Sequence, residues 1–241
     1  MSKLLRVGVA LAATVAVTAC GGGSGSGSSS GSTDTAPSTS AATAAATAIN
    51  LVKADLPGYN ATPHDSSSDS DPDNVAFASC VGASAPNSGD VVDLYSEDFE
   101  KGTQLDSKQV SSEVTVVKSQ STARKDLKAF QGDKTKTCLE TFVGKLLTKQ
   151  AGEASGVTFA TPTISRLDPQ GAGTDGTFGY AVTTTAKAAG LSLPFEITIQ
   201  GLLVKHTGTQ LTTLSVGGPF PAADRDALFA KLVERSKSSA V

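Results

Sequence analysis

Few residues in this chain can do chemistry outright, and their spacing narrows what that chemistry is. There are two histidines, His64 and His206, and three cysteines, Cys20, Cys80 and Cys138. Neither histidine has ligand spacing to a second His or Cys, and no Cys-x-x-Cys occurs, so the sequence offers no zinc or dithiol motif. His-Glu-x-x-His, the P-loop and Ser-x-x-Lys are also missing. A Ser-His-Asp triad converges only in space and would need a Ser and an Asp gathered around His64 or His206 in a pocket. Gly27-Ser28-Ser29-Ser30-Gly31 matches the hydrolase elbow G-x-S-x-G. That motif has meaning only between a strand and a helix, and here it lies in low-complexity sequence. The sharpest local pattern is Asp69-x-Asp71-x-Asp73, whose carboxylates are hard oxygen ligands suited to Ca²⁺. In an EF-hand register from Asp69, however, the sixth position is Asn74 and the twelfth Cys80, with Pro72 stiffening the middle. A solvated acidic loop accounts for the triplet better, and no cofactor is expected.

Cys20 stands in a different setting. Lys3 and Arg6 precede an apolar run, Val7 to Ala16, which has the form of an export signal and is too short to span a bilayer core of roughly 30 Å. Val17-Thr18-Ala19-Cys20 then resembles the bacterial lipobox. The resemblance implies a diacylglyceryl group on the Cys20 sulfur and cleavage just before it, with the acyl chains holding the chain at a membrane surface. An ordinary cleaved signal with a chance cysteine is the alternative. From Gly21 to Ala48 the chain is almost wholly Gly, Ser, Thr and Ala, a composition expected to stay disordered as a tether reaching about 30 Å. The expected organisation is therefore a signal over 1–19, an anchored linker over 20–48 and one domain over 49–241, at the outer face of the cell membrane.

That compartment is oxidising, and with Cys20 given to lipid, Cys80 and Cys138 are expected to pair. Closing a loop of that length stabilises a fold by roughly 4 kcal/mol in the chain-entropy model. Two separate free thiols are the alternative. Without residues 1–19 the chain carries 18 basic and 23 acidic residues, net −5, which argues against a nucleic-acid partner. There is no Trp, so the core must rest mainly on Val, Leu, Ala and Ile.

The elements that would position these residues follow from periodicity. A helix is expected over Ala41–Asp55, an acidic loop over 65–74, and strands over Val75–Val81, Asp90–Phe99 and Val110–Lys118. Helices follow over Thr122–Gln131 and over Lys134–Lys149, where Leu139, Phe142, Val143, Leu146 and Leu147 recur at helical spacing and Gly152 marks the end. Beyond them come a strand over Val157–Leu167, another through Phe178 and Thr184, and a third through Phe195 and Ile199 with a bulge at Gly201. A hairpin tip at Thr207-Gly208 leads to Leu211–Val216, and a helix over Ala222–Lys237 closes the chain. This order is that of an α+β fold, an antiparallel sheet with helices packed on one face.

Three segments carry a family likeness: the strand and helix SSEVTVVKSQSTARKDLKAF (111–130) with CLETF (138–142), the hairpin LPFEITIQGLLVKHTGTQLTTLSV (193–216), and the last helix. They resemble uncharacterised actinobacterial lipoproteins and, more distantly, the extracellular sensor domains of actinobacterial Ser/Thr protein kinases. Those kinase domains carry two disulfides and a Trp near the helix cysteine, which this chain lacks, so no ligand residues carry over.

Charge is uneven. From Lys118 to Lys149 eight basic residues face three acids, leaving that segment at +5. Arg124, Lys125, Lys128, Lys145 and Lys149 are candidate contacts for an anionic surface, against an ordinary solvated helix surface. The sequence thus supports a non-enzymatic, membrane-tethered binding or sensor-like domain whose ligand or envelope partner it does not name. A carrier of an apolar ligand such as a lipid comes second, and a hydrolase with scattered catalytic residues third.

Overall fold

Among the described residues, helical and strand periodicity resolve into nine antiparallel strands and five α-helices in one α+β domain. The computed structural model describes residues 35–64, 72–85, 88–103, 105–153, 156–188 and 190–241. The expected signal, Cys20, and most of the linker and acidic loop, including Asp69 and Asp71, lie outside the described residues.

The first helix, α1 (Thr39–Ile49), starts inside the expected linker. Ser38 caps it, its side-chain oxygen accepting from the Ala41 amide at 3.3 Å. Ala42, Ala45, Ala46 and Ile49 are buried, a stripe at i, i+3, i+4 and i+7. The domain therefore begins near residue 39, not 49. A run of Ala and Thr reads as a tether by composition, but Ala is the best helix former and an Ala face packs closely. The helix ends at Ile49, short of Asp55, because Asn50 leaves helical geometry. Its amide donates to the Leu94 carbonyl at 2.8 Å and accepts from Ser112 Oγ at 2.7 Å. A separate 3₁₀ turn covers Lys53–Asp55, and β1 (Asn60–Thr62) follows.

Residues expected as a strand over Val75–Val81 form a helix, α2 (Pro72–Val81). Asn74, Phe77, Ala78 and Val81 are its buried positions, a helical stripe that seven residues of mixed β-branched and aromatic character hid. Pro72 suits the first helical position. Gly82, at φ +83°, ends it with the paired bonds Ala83 N to Ala78 O and Gly82 N to Ser79 O.

Four of the remaining strand expectations change in detail. Asp90–Phe99 divides into β2 (Asp90–Tyr95) and β3 (Asp98–Thr103), which both pair with one edge of β4 (Asp106–Val117). The break falls at Ser96, whose Oγ accepts from the Ser112 amide at 2.9 Å. Val157–Leu167 likewise divides into β5 (Val157–Phe159) and β6 (Thr163–Arg166), both on β7 (Gly176–Ala188). Between these pairs run α3 (Gln120–Gln131) and α4 (Lys134–Glu153), α4 continuing through Gly152. The hairpin β8 (Leu191–Val204) to β9 (Thr207–Val216) turns at Lys205-His206, two residues earlier than expected, with Lys205 at φ +54°. No bulge occurs at Gly201, which keeps register with Phe178 and Gln210. A Cβ there would lie 2.2 Å from the Phe178 ring, so the glycine is a seat for that ring. The chain closes with α5 (Ala222–Ser239).

The apparent change of phase at Gly201 marks a strand buried on both faces. Phe195, Ile197, Ile199 and Leu203 of β8 join Leu214 of β9 and Val117 of β4 in one core with α2, α3 and α4. Leu202 and Val204 join Leu211, Val110 and Val114 in a second core with α1 and α5. Since alternate strand residues point to opposite faces, the helices lie on both faces of the sheet, where the pattern had placed them on one. The polar half of each alternation was read as solvent-facing although much of it is buried.

Candidate functional site

The sequence-predicted residues scatter. Cys80 on α2 and Cys138 on α4 form a disulfide, with Cα atoms 5.9 Å apart and a sequence separation of 58; Cys138 is buried. Asp73 lies in the first turn of α2, its carboxylate 3.8 Å from Lys145 Nζ. Arg124 is drawn to Asp175 at 2.9 Å, while Lys125 and Lys128 are exposed on α3 and Lys149 on α4. Arg124 and Lys145 are thus tied to carboxylates of the same chain. His206, at the hairpin turn, has Nδ1 3.1 Å from the Val117 carbonyl. Among the described residues no group of three or more His, Cys, Asp or Glu is arranged to hold a metal.

What the fold does assemble is a buried acidic network that sequence reading missed. Antiparallel register sets Asp93 opposite Thr115 and Tyr95 opposite Glu113, which puts all four side chains on the face covered by α3. The Tyr95 hydroxyl is 3.3 Å from both Asp93 and Glu113. Thr115 Oγ1 is 3.1 Å from Asp93 and 3.4 Å from Glu113. Burial pushes the Asp93 carboxyl above the usual range, while hydrogen bonds from Glu113, Thr115 and Tyr95 and the nearby His64 pull it back. Two carboxyls in one low-dielectric site hold a proton between them more readily than two charges. His64 roofs the network, its ring 4.2 Å from that of Tyr95 and nearly parallel, with Nδ1 3.0 Å from Asp98.

Two further carboxyls extend it. Asp90 opens β2, and both its oxygens are buried without a hydrogen bond. Burial chiefly, then the charges of Asp93 and Asp126, raise it to about 7, against the opposing charge of Lys118. Asp126 on α3 is fully buried; one oxygen accepts from the Ser84 amide and hydroxyl at 3.1 and 3.2 Å, and the other has no partner. Its carboxyl too is raised by burial, with the Ser84 bonds opposing.

Paired carboxyls with split affinities are the equipment of general acid–base catalysis, but a substrate must reach them. The cavity beside Glu113 and Thr115, walled by Phe178, Leu202 and Gln210, measures about 20 Å³, room for about one water. A larger recess lies elsewhere, a groove of about 680 Å³ between Gly144–Ala151 of α4 and the 158–162 segment. Leu147, Phe159 and Pro162 line it together with Glu140, Thr148 and Thr161. The signal for the acidic network was present in β4, where Glu113 and Thr115 alternate with Val114 and Val116. It was legible only with the knowledge that both faces are covered.

Fold and site together define an α+β domain with a two-sided core, a disulfide between helices and buried acids. No protein-family model matches the chain, and no curated protein matches it. Among solved structures, the extracellular domain of PknH from Mycobacterium tuberculosis aligns over 80% of this chain and 95% of its own, at 12% identity and a TM-score of 0.36. Among the described residues, no helix is long and apolar enough to cross a membrane.

Proposed function

We propose that this chain is an exported domain, anchored through lipid on Cys20 at the outer face of the cell membrane, that binds a ligand or envelope partner without transforming it. The observation that carries the reading is the Cys80–Cys138 disulfide. Disulfides persist in oxidising compartments, and this one occupies two of the three cysteines, leaving Cys20 alone beside the lipobox-like residues. The absence of turnover is supported by the acidic network, whose carboxyls lie beneath His64 and Tyr95 beside a cavity of about 20 Å³. Metabolic labelling with an alkyne fatty acid in a bacterial host tests the anchor. Label and membrane attachment are expected for the wild-type chain and lost in Cys20→Ser; a Cys20→Ser chain that stays labelled and attached refutes it. Turnover of any substrate abolished by Glu113→Gln would refute the non-enzymatic part.

Carriage of an apolar ligand is favoured by one observation, the groove at α4 with Leu147 and Phe159 in its wall. The hydroxyls and carboxylate that share that wall place this reading second. Native mass spectrometry decides it, since a carrier retains co-purified lipid.

A further inference from the structure

The opposite face of the sheet holds a polar group that the fold leaves unanswered. Gln200 on β8 is 2% exposed, and its Oε1 is buried without a hydrogen-bond partner. It lines a pocket of about 190 Å³ formed by β8, the segment after β6 and the first turns of α5, with Phe229 among its apolar walls. The pocket is built, not incidental. Gln200 pairs across the sheet with Gly179, where a Cβ would stand 2.9 Å from Leu167 Cβ and 3.0 Å from Pro169 Cδ. The missing side chain lets that segment close over Gln200, and it is pinned by Leu167 N to Gly179 O and by Thr177 Oγ1 to Pro169 O, both 2.9 Å.

Arg225 supplies the charge. Its side chain is only 15% exposed, and Nε and Nη2 both reach Oδ1 of Asp226, at 3.1 and 3.0 Å. That arrangement fixes the guanidinium and leaves the Nη1 donors for a guest. Asp168 and Asp226 also line the pocket, so a bare anion meets two carboxylates for one guanidinium. A zwitterion does not carry that penalty. Its carboxylate answers Arg225 and the Gln200 side-chain amide, and its ammonium answers Asp168 and Asp226. A volume of about 190 Å³ suits a small molecule and not a polymer segment.

We propose that this pocket binds a small α-amino acid of glycine or alanine size, carboxylate toward Arg225 and Gln200 and ammonium toward Asp168 and Asp226. This names the ligand class for the binding reading above and rests on it, but not on the anchor. The test uses the full chain purified in detergent and titrated with glycine and L-alanine, with acetate and methylamine as half-ligands and dialanine as the peptide form. Binding is read from the Gln200 side-chain amide resonance of the wild-type protein, and then by calorimetry in Gln200→Leu and Arg225→Met. Saturable binding of the amino acids is expected, at least tenfold tighter than either half-ligand and weakened at least tenfold in each variant. Tighter binding of dialanine would assign the same chemistry to peptide ends. Failure of every probe to shift the Gln200 amide would mean a water-filled pocket and overturn the proposal, leaving the Cys20 labelling result untouched. Binding unchanged in both variants would overturn it as well.

Discussion

The two faces of the sheet bury charge in opposite ways. On the α1 and α5 side, Asp55 is 6% exposed and is met by the full fork of Arg235 at 2.8 and 2.9 Å and by Lys231 at 2.9 Å. Burial alone would raise its carboxyl, but the hydrogen bonds of Arg235, Val52 and Lys231 outweigh that and hold it below the usual range. On the α3 side, Asp90 has no hydrogen bond for either oxygen, and Asp93 and Asp126 have only neutral donors, apart from each other's neighbourhood. All three are raised. Burial is common to both faces; among the described residues, a cation bonded directly to the buried carboxyl is found at Asp55, while Lys118 and Lys125 act on Asp90 and Asp126 only from a distance. The first face is therefore closed by charge pairing, and on the second the carboxyls are pushed toward their protonated form.

The same contrast separates the covalent support. The disulfide joins α2 to α4 on the second face, while α1 and α5 rely on packing of Ile49, Phe229 and Leu232. Reducing the disulfide should cost about 4 kcal/mol, a fall in Tm of roughly 10 °C for a domain of this size. Hydrogen exchange should show α2 and α4 losing protection before α1 and α5. Uniform loss over both faces would dissolve the comparison and make the fold a single cooperative unit. On the other face, Arg235→Met leaves Asp55 buried with Lys231 as its remaining cation, and should cost about 2 kcal/mol. A denaturation midpoint unchanged by Arg235→Met would show that burial, not pairing, decides the state of Asp55.

Much of the framework was legible from the sequence for reasons these faces make plain. The helical stripes of α3, α4 and α5 were readable because each is amphipathic, with one side in water. The α+β class followed from element order. Three things stayed hidden. The helix α2 is too short, and its polar buried position, Asn74, breaks the apolar stripe. The helix α1 carries alanines where a reader expects larger apolar residues. Most consequential, β4, β8 and β9 are covered on both sides, so Glu113, Gln200 and Gln210, which alternation assigns to solvent, are buried. Both candidate sites are made of such residues. Alternation gives the face of a strand but not what lies over it; that depends on where distant helices pack.

The finest test of the contrast is a pH titration of stability. For Asp90 the folded value is about 7 against an ordinary 3.8. The folded state therefore holds the proton more tightly, and its contribution is fully present below the ordinary value and lost as pH rises through about 7. Asp93 and Asp126 act in the same sense. Asp55, lowered, acts the other way, and its contribution is lost only as pH falls below its ordinary 3.8. The windows do not overlap, so Tm should decline from pH 4.5 to pH 8, the reverse of the trend that paired carboxylates produce. Asp90→Asn removes the titrating group while keeping its shape. At pH 8 it should stabilise the domain by on the order of 1 kcal/mol, discounted for the partial exposure of the residue, with little change at pH 4.5. Equal effects at both pH values would mean that the proton on Asp90 is not what this face stores, and the distinction between the two faces would then rest on Asp93 and Asp126.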